Sequence, residues 1–500
     1  MGHTTSQPLA LHPSSFATPY TPTTAGFVVD HEQQKWRSYD YVVIGGDFDS
    51  WEQQGATGWG YASLRKYFIK AEKCILPQSQ PVDPAEHGSD GSLLQARVPI
   101  APVCSKFLEA AEALGISVKN DFNTSGGTLG AVPFVAAMDE KYERSSTATA
   151  YLGDDVLRRP NLTVAVSTMT EKVLFAKTSN GSPKAIGIQI SSSRSSQRFA
   201  VAASNEVILC AGAVGSPQIL QLSGIGDSAH LAEQGIPLVS NLPAVGRNML
   251  DHVSSGALIF RARAGWTWDS LTQNPLRAAV ALVQWILSGA GPMSSLASQV
   301  GLFVRTDDER LLPFGPSLAT QDRSSGPRAP DLEFVLGSVL LKPVSSGTIM
   351  IKSSDPYDPP VIDANYLADE SDMNMLIKST RFLLHLARTP PLSDVLDLRP
   401  STTKGDMFWP GDADPDKITD EEVRAFIRDY GQSAWHPTSS VRMGNDLNTS
   451  AVDPNLRVHG VSALRVVDAS VFPDQVSGHP CAVVIAMAER AAELIQGREP

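Results

Sequence analysis

The chain has 500 residues, of which 42% are hydrophobic, 19% charged and 7% aromatic, the balance of an ordinary globular protein. Lys and Arg number 41 against 53 Asp and Glu, a net charge of −12 with no basic stripe, which excludes a nucleic-acid partner that needs clustered positive charge. Cys74, Cys104, Cys210 and Cys481 lie far apart without CxxC or Cys/His spacing, which argues against a disulfide framework and a structural zinc site.

Thirteen of the first 24 residues are Ser, Thr or Pro, so residues 1–36 read as a disordered arm. No apolar signal-peptide core occurs among them, and a cytoplasmic protein is expected. Tyr39 to Gly46 reads as a buried strand closed by the glycine pair Gly45 and Gly46. Gly55, Gly58 and Gly60 interleave with Trp51 and Trp59 in a loop, and helical spacing follows over Ala62 to Lys73 and Val103 to Leu114. Short strands are expected at Leu162 to Val166, Lys172 to Ala176, Ala185 to Ile190 and Val207 to Cys210. The last leads into a small-residue turn, Ala211 to Pro217, and a helix over Gln218 to Leu222.

The stretch Ala278 to Leu287 is the longest membrane candidate, but Gln284 interrupts it and it falls short of the roughly 18 apolar residues of a span. Residues 306–330 form a polar, Pro- and Gly-rich surface excursion. Strands are then expected at Asp331 to Val339, Gly347 to Lys352 and Pro360 to Ile362, followed by a helix over Asp372 to Arg388. Thr419 and Glu422 form a capping box opening a helix through Arg428. The strand Leu464 to Val467 precedes a turn and the helix Cys481 to Gln496, with Pro480 at its start. Strands near both ends with glycine turns into helices favour an α/β sheet, and the strand-rich centre a second domain.

Two of the ten histidines stand in informative settings. His436 lies in Ser433-Ala434-Trp435-His436-Pro437, a tight segment fixed by proline, and His479 directly precedes the last helix. A rigidly held histidine in a cleft suits proton abstraction from an alcohol, and a helix N-terminus suits a neighbouring anion. For either histidine alone, a capping or core role is the simpler reading. No Gly-x-Ser-x-Gly elbow occurs, which disfavours a serine hydrolase.

The segments Trp51 to Tyr61, Gly212 to Leu220 with Ser223 to Gly226, Val245 to His252, and the two histidine segments together resemble the glucose-methanol-choline (GMC) oxidoreductase family, in the family's order. The resemblance implies an FAD-dependent enzyme that oxidises a small-molecule alcohol, in a setting such as secondary metabolism. Its implied architecture is a Rossmann-like FAD domain over 37–252 and 455–500, and an α+β substrate domain with an antiparallel sheet over 253–454. His436 matches the catalytic histidine that takes the hydroxyl proton while a hydride passes to the flavin. His479 matches the position that orients the hydroxyl. Val173 matches the residue whose backbone meets the adenine, Asp468 and Ala469 the contact to the ribityl and pyrophosphate, and Pro480 and Cys481 the segment beneath the flavin's pyrimidine edge.

The chain departs from the family at its N-terminal side. Gly45 matches the first glycine of Gly-x-Gly-x-x-Gly, but Asp47 and Ser50 stand at the second and third, where backbone should approach the pyrophosphate. Glu72 has about the spacing of the ribose-binding acid but falls at a helix end. On the order of 80 residues, more than one ~30-residue βαβ unit, are missing before Trp51 by comparison with the pattern. Two alternatives therefore stand beside the alcohol oxidoreductase: a non-redox cyclase or dehydratase using the same cleft, and an inactive truncated remnant.

Overall fold

The computed structural model describes residues 45–75, 83–124, 126–295, 298–308, 318–335, 337–400 and 406–498. The expected arm over 1–36 and the strand portion Tyr39 to Ile44 lie outside these residues.

Two hydrophobic cores organise the molecule. The first gathers Trp51 and Tyr67 from the N-terminal helices and Trp59 from the loop between them, Val173 and Leu209 from the middle of the chain, and Val466, Phe472 and Met487 from its end. The second lies under a six-stranded sheet in the order Gln432–Ser433, Val253–Ser254, Ser338–Leu340, Leu332–Phe334, Val300–Val304, Gly130–Pro133. Every pairing in that sheet is antiparallel. One of its faces packs on the helix Glu370–Ala387, which buries Met373, Leu376, Ile377 and Leu384 at helical spacing. The edge strand Gly130–Pro133 and the helix Pro102–Ala113, expected within the N-terminal unit, belong to this second core.

Around the first core, Leu464–Val466 pairs in parallel with Val207–Leu209, and Met169–Lys177, Pro183–Ser191 and Phe199–Ala202 form an antiparallel meander. Among the described residues the pair Leu464–Val466 and Val207–Leu209 is a two-stranded sheet, where a larger Rossmann-like sheet is expected. Among the described residues no helix is long and apolar enough to cross a membrane.

Most expected helices and strands occur within a few residues of their predicted bounds, and four local expectations change. Residues 162–166 join no strand. The apolar run after Asp331 is a hairpin, Leu332–Phe334 and Ser338–Leu340, rather than one strand. The small-residue turn is instead the first part of the helix Gly212–Leu222. Pro217 cannot donate to the Ala213 carbonyl, and Ser440 Oγ supplies that missing bond at 2.6 Å, which lets the helix carry an internal proline. The excursion after Thr306 is tethered where it is described: Arg305 donates to Asp322, to Ser324 and to the Gly326 and Ala329 carbonyls.

The fourth change concerns Gly45 and Gly46, which are part of the helix Gly45–Gln53 and not of a phosphate turn. A Cβ on Gly46 would lie 3.2 Å from the Ser325 carbonyl, so this backbone faces protein. Asp47 is buried and accepts hydrogen bonds from Ser477 N at 2.6 Å, Ser477 Oγ at 2.9 Å and Ser325 Oγ, with Lys342 Nζ 3.6 Å away. It is a structural carboxylate tying the first described helix to the loop before His479, not a side chain intruding on a phosphate site. Asp47→Gly should therefore destabilise the protein by about 3 kcal/mol, because buried donors lose their acceptor. The check is the thermal midpoint, with Asp47→Asn expected to cost less.

Candidate active site

His436 is presented by a short antiparallel clasp. Ser433 pairs with Val253, Ala434 N donates to the His252 carbonyl at 2.8 Å, and Leu250 and Thr438 exchange backbone bonds of 3.1 and 2.8 Å. Between these anchors the chain bulges, with Trp435 at a left-handed φ of 64°. The bulge is held by Asp251, whose Oδ1 accepts His436 N at 2.8 Å and whose Oδ2 accepts the Ser433 and Tyr366 hydroxyls. Burial pushes the Asp251 carboxyl up from its usual range, and those donors act in the opposite direction.

His479 follows the turn after Phe472 and sits directly before the helix Cys481–Ile495, where Pro480 is the N-cap. Its Nε2 donates to Glu333 Oε1 at 2.8 Å, with both groups buried. Glu333 comes from the otherwise apolar strand Leu332–Phe334 of the second core, so this bond joins the two halves of the molecule. The Phe134 and Phe303 rings lie 5.6 and 6.5 Å from the His479 ring, centroid to centroid. The His436 and His479 rings are 5.6 Å apart and inclined by 44°. The structure thus brings together the two histidines singled out in the sequence.

A third histidine completes the cluster. His252 is fully buried, its ring perpendicular to that of His436, with the two Nδ1 atoms 2.9 Å apart. Its Nε2 lies 2.8 Å from the Val476 carbonyl, which can only accept. Burial is the main force that pushes the His252 pKa down to about 3, with the nearby Lys342 and His479 adding to it. Sequence reasoning did not assign roles to Asp251, His252 or Glu333. Asp251 and His252 end one of the recognised segments, and Glu333 shows only as an acid inside an apolar run.

The remaining expected cofactor residues line up less uniformly. Asp468 accepts from Gly212 N at 3.0 Å, Ser216 Oγ at 2.6 Å and Ser470 N at 2.9 Å, stapling the helix Gly212–Leu222 to the C-terminal strand. Ala469 is partly exposed beside it, and its carbonyl accepts from Ser439 N. Gly212 has a φ of 75° and no atom within 4 Å of an added Cβ, while Ala211 and Cys481 are exposed. That open backbone, together with the N-terminus of a 15-residue helix, fits the flavin end of a dinucleotide cofactor. The phosphate and ribose end fits less well. Gly45 and Gly46 are helical, the Val173 N–H is donated to Ser223 Oγ at 2.8 Å, and Glu72 is paired with His87.

Comparison with known proteins places this geometry in a family. Two GMC oxidoreductase models, for the N- and C-terminal parts, match residues 45–254 and 343–488. A dehydrogenase of Strobilurus tenacellus is 44% identical over 484 residues, covering 90% of this chain and 78% of the relative. An alcohol dehydrogenase [acceptor] of Pseudomonas putida is 34% identical over 457 residues, with 90% and 78% covered. Among solved structures, an FAD-dependent oxidoreductase from Chaetomium thermophilum superimposes with a TM-score of 0.81 at 26% identity, over 91% of this chain and 84% of that one. The family and this structural neighbour are FAD-dependent flavoproteins. With both family models matched and a histidine cluster assembled from the segments that they cover, the chain belongs to the GMC oxidoreductase family.

Proposed function

We propose that this chain oxidises a small-molecule alcohol, with His436 as the base and His479 as the group that orients the hydroxyl. The observation that carries this reading is the tautomer imposed on His436. The Val476 carbonyl holds a proton on His252 Nε2, so the neutral His252 ring can only accept at Nδ1. His436 Nδ1–H is therefore the donor across the 2.9 Å contact, and the neutral His436 ring keeps its basic lone pair on Nε2. His479 is fixed from the other side by Glu333 Oε1, which accepts the Nε2–H and so sets the orientation in which the ring meets a substrate hydroxyl. Phe134 and Phe303 beside His479 supply apolar walls that keep water from competing for the same protons.

FAD, when bound, supplies the two-electron acceptor that alcohol oxidation requires. Ala211, Gly212, Ala469, Pro480 and Cys481 would hold its flavin end. The Pseudomonas putida relative, named as an alcohol dehydrogenase, supports an alcohol as substrate. A second reading is favoured by a specific observation: with the residues at the expected phosphate site engaged in the protein's own contacts, the chain retains FAD weakly or not at all. Titration of the purified chain with FAD, followed by flavin fluorescence quenching, separates the two. Saturable binding supports the oxidoreductase, and its absence assigns this chain to the second reading.

Where FAD is taken up, His436→Ala should lower kcat by about 10²–10⁴-fold with little change in FAD affinity, in line with the loss of a general base. Unchanged turnover in steady-state assays with primary and secondary alcohols would refute the assignment.

The His252 environment also dictates a pH response. An unfolded chain protonates this histidine near its ordinary value of about 6.5, whereas the folded chain resists until about 3. Stability from this group is thus complete above roughly pH 6.5 and is lost as the pH falls towards 3. Thermal midpoints of His252→Gln measured from pH 7 to pH 5 should fall less steeply than those of the parent chain.

A further inference from the structure

The strand Glu72–Ile75 continues directly from the helix Tyr61–Ala71, and its alternation puts Glu72 and Cys74 on one face. The loop that follows returns against that face. Cys74 N donates to the Gly88 carbonyl at 2.9 Å, Gly88 N to Glu72 Oε2 at 3.1 Å, and Gly91 N to the Glu72 carbonyl at 2.9 Å. Glycine is needed for this approach: a Cβ on Gly88 would lie 2.0 Å from the Ile69 carbonyl, and one on Gly91 2.3 Å from backbone of Ala71. The loop thereby lowers His87 onto Glu72 and Cys74. One ligand atom from each of the three residues lies within 4.8 Å of the other two.

We propose that Glu72, Cys74 and His87 form a binding site for a zinc-class divalent cation, with Asp121 as the group that orients the His87 ring. Carboxylate, thiolate and imidazole are the ligand types that zinc takes at about 2.0–2.3 Å, which in a tetrahedron sets neighbouring ligand atoms about 3.3–3.8 Å apart. His87 Nδ1 is already 3.0 and 3.1 Å from the two Glu72 oxygens, so a small separation admits the ion. His87 Nε2 lies 2.8 Å from Asp121 Oδ2, the carboxylate–histidine arrangement that fixes a metal-bound ring and raises its basicity. Glu72 and His87 are both buried, and Cys74 is partly exposed, which leaves an entry path and a place for a water as fourth ligand.

Without the ion, the same residues form a charged clamp. His87 faces both Glu72 oxygens through Nδ1 and Asp121 Oδ2 through Nε2, and these carboxylate oxygens accept from the ring. The cation takes the place of the Nδ1 proton, and Cys74 binds as thiolate after losing its own. Uptake therefore releases protons and tightens as the pH rises. The site lies at the end of the helix Tyr61–Ala71, which packs along the helix Cys481–Ile495, and so acts on the fold rather than on the reacting atoms.

The test uses the full chain, stripped with a chelator and titrated with zinc chloride by calorimetry in buffers of different ionisation enthalpy. One zinc per chain with proton release is expected, together with a higher thermal midpoint. Cobalt(II) should give a thiolate charge-transfer band. Cys74→Ala, at a partly exposed position that the fold tolerates, should lose the band and weaken zinc binding at least about 100-fold. Replacement of Cys104, Cys210 and Cys481 together should change neither. Absence of saturable zinc uptake, or equal binding by Cys74→Ala, would overturn the site and leave His87 as a salt-bridge residue only.

Discussion

A carboxylate withdrawn from water must be surrounded by donors, and the donors gathered around Asp251 are the ones that shape the segment presenting His436. The His436 amide and the Ser433 hydroxyl, from one segment, and the Tyr366 hydroxyl, from another, converge on its two oxygens. Satisfying that one group forces residues 433–438 to bulge, fixes the left-handed Trp435, and sets His436 against His252. The cost of burying the charge, visible in the raised Asp251 carboxyl, is offset by a geometry that no exposed loop would hold.

The histidine cluster is then a sequence of fixed hydrogen-bond directions. A carbonyl decides the His252 tautomer, His252 decides that of His436, and a carboxylate from the other core decides the orientation of His479. The first and last steps use a carbonyl and a carboxylate, which can only accept, and the middle step follows from the first through the two nitrogens of the neutral His252 ring. Glu333 is the one member contributed by the antiparallel sheet, which makes the sheet part of the site rather than a mere support for a substrate cavity.

Much of this was legible in the sequence and some was not, for physical reasons. His436 and His479 stand out because proline and a helix start restrict them locally. The capping box at Thr419 and Glu422 forms as expected, since both partners lie within one turn. Asp251, His252 and Glu333 act through partners more than a hundred residues away in several cases, and local pattern carries no trace of such pairings. Asp47 was misleading for a related reason. A glycine pair after a β-branched run suggests a phosphate turn, but the residues that follow are those of a helix whose Phe48 and Trp51 seek the first core. Tertiary burial outweighs the local turn signal. The apolar small-residue segment after Cys210 forms a helix through a proline because Ser440, distant in sequence, takes over the unmatched carbonyl.

The C-terminal portion contributes more than its length suggests. Trp51 Nε1 donates to the Asp474 carbonyl, Trp59 Nε1 to the Pro454 carbonyl, Tyr67 to Glu493, and the Asp468 staple closes the Gly212–Leu222 helix. The indole N–H groups of Trp51 and Trp59 find their acceptors only once residues 454–474 are available. During synthesis the N-terminal half therefore leaves the ribosome with its largest aromatic surfaces uncovered, and holds them so while several hundred residues follow. Productive collapse of the first core is a late, long-range event that depends on protection of Trp51 and Trp59 in the interval.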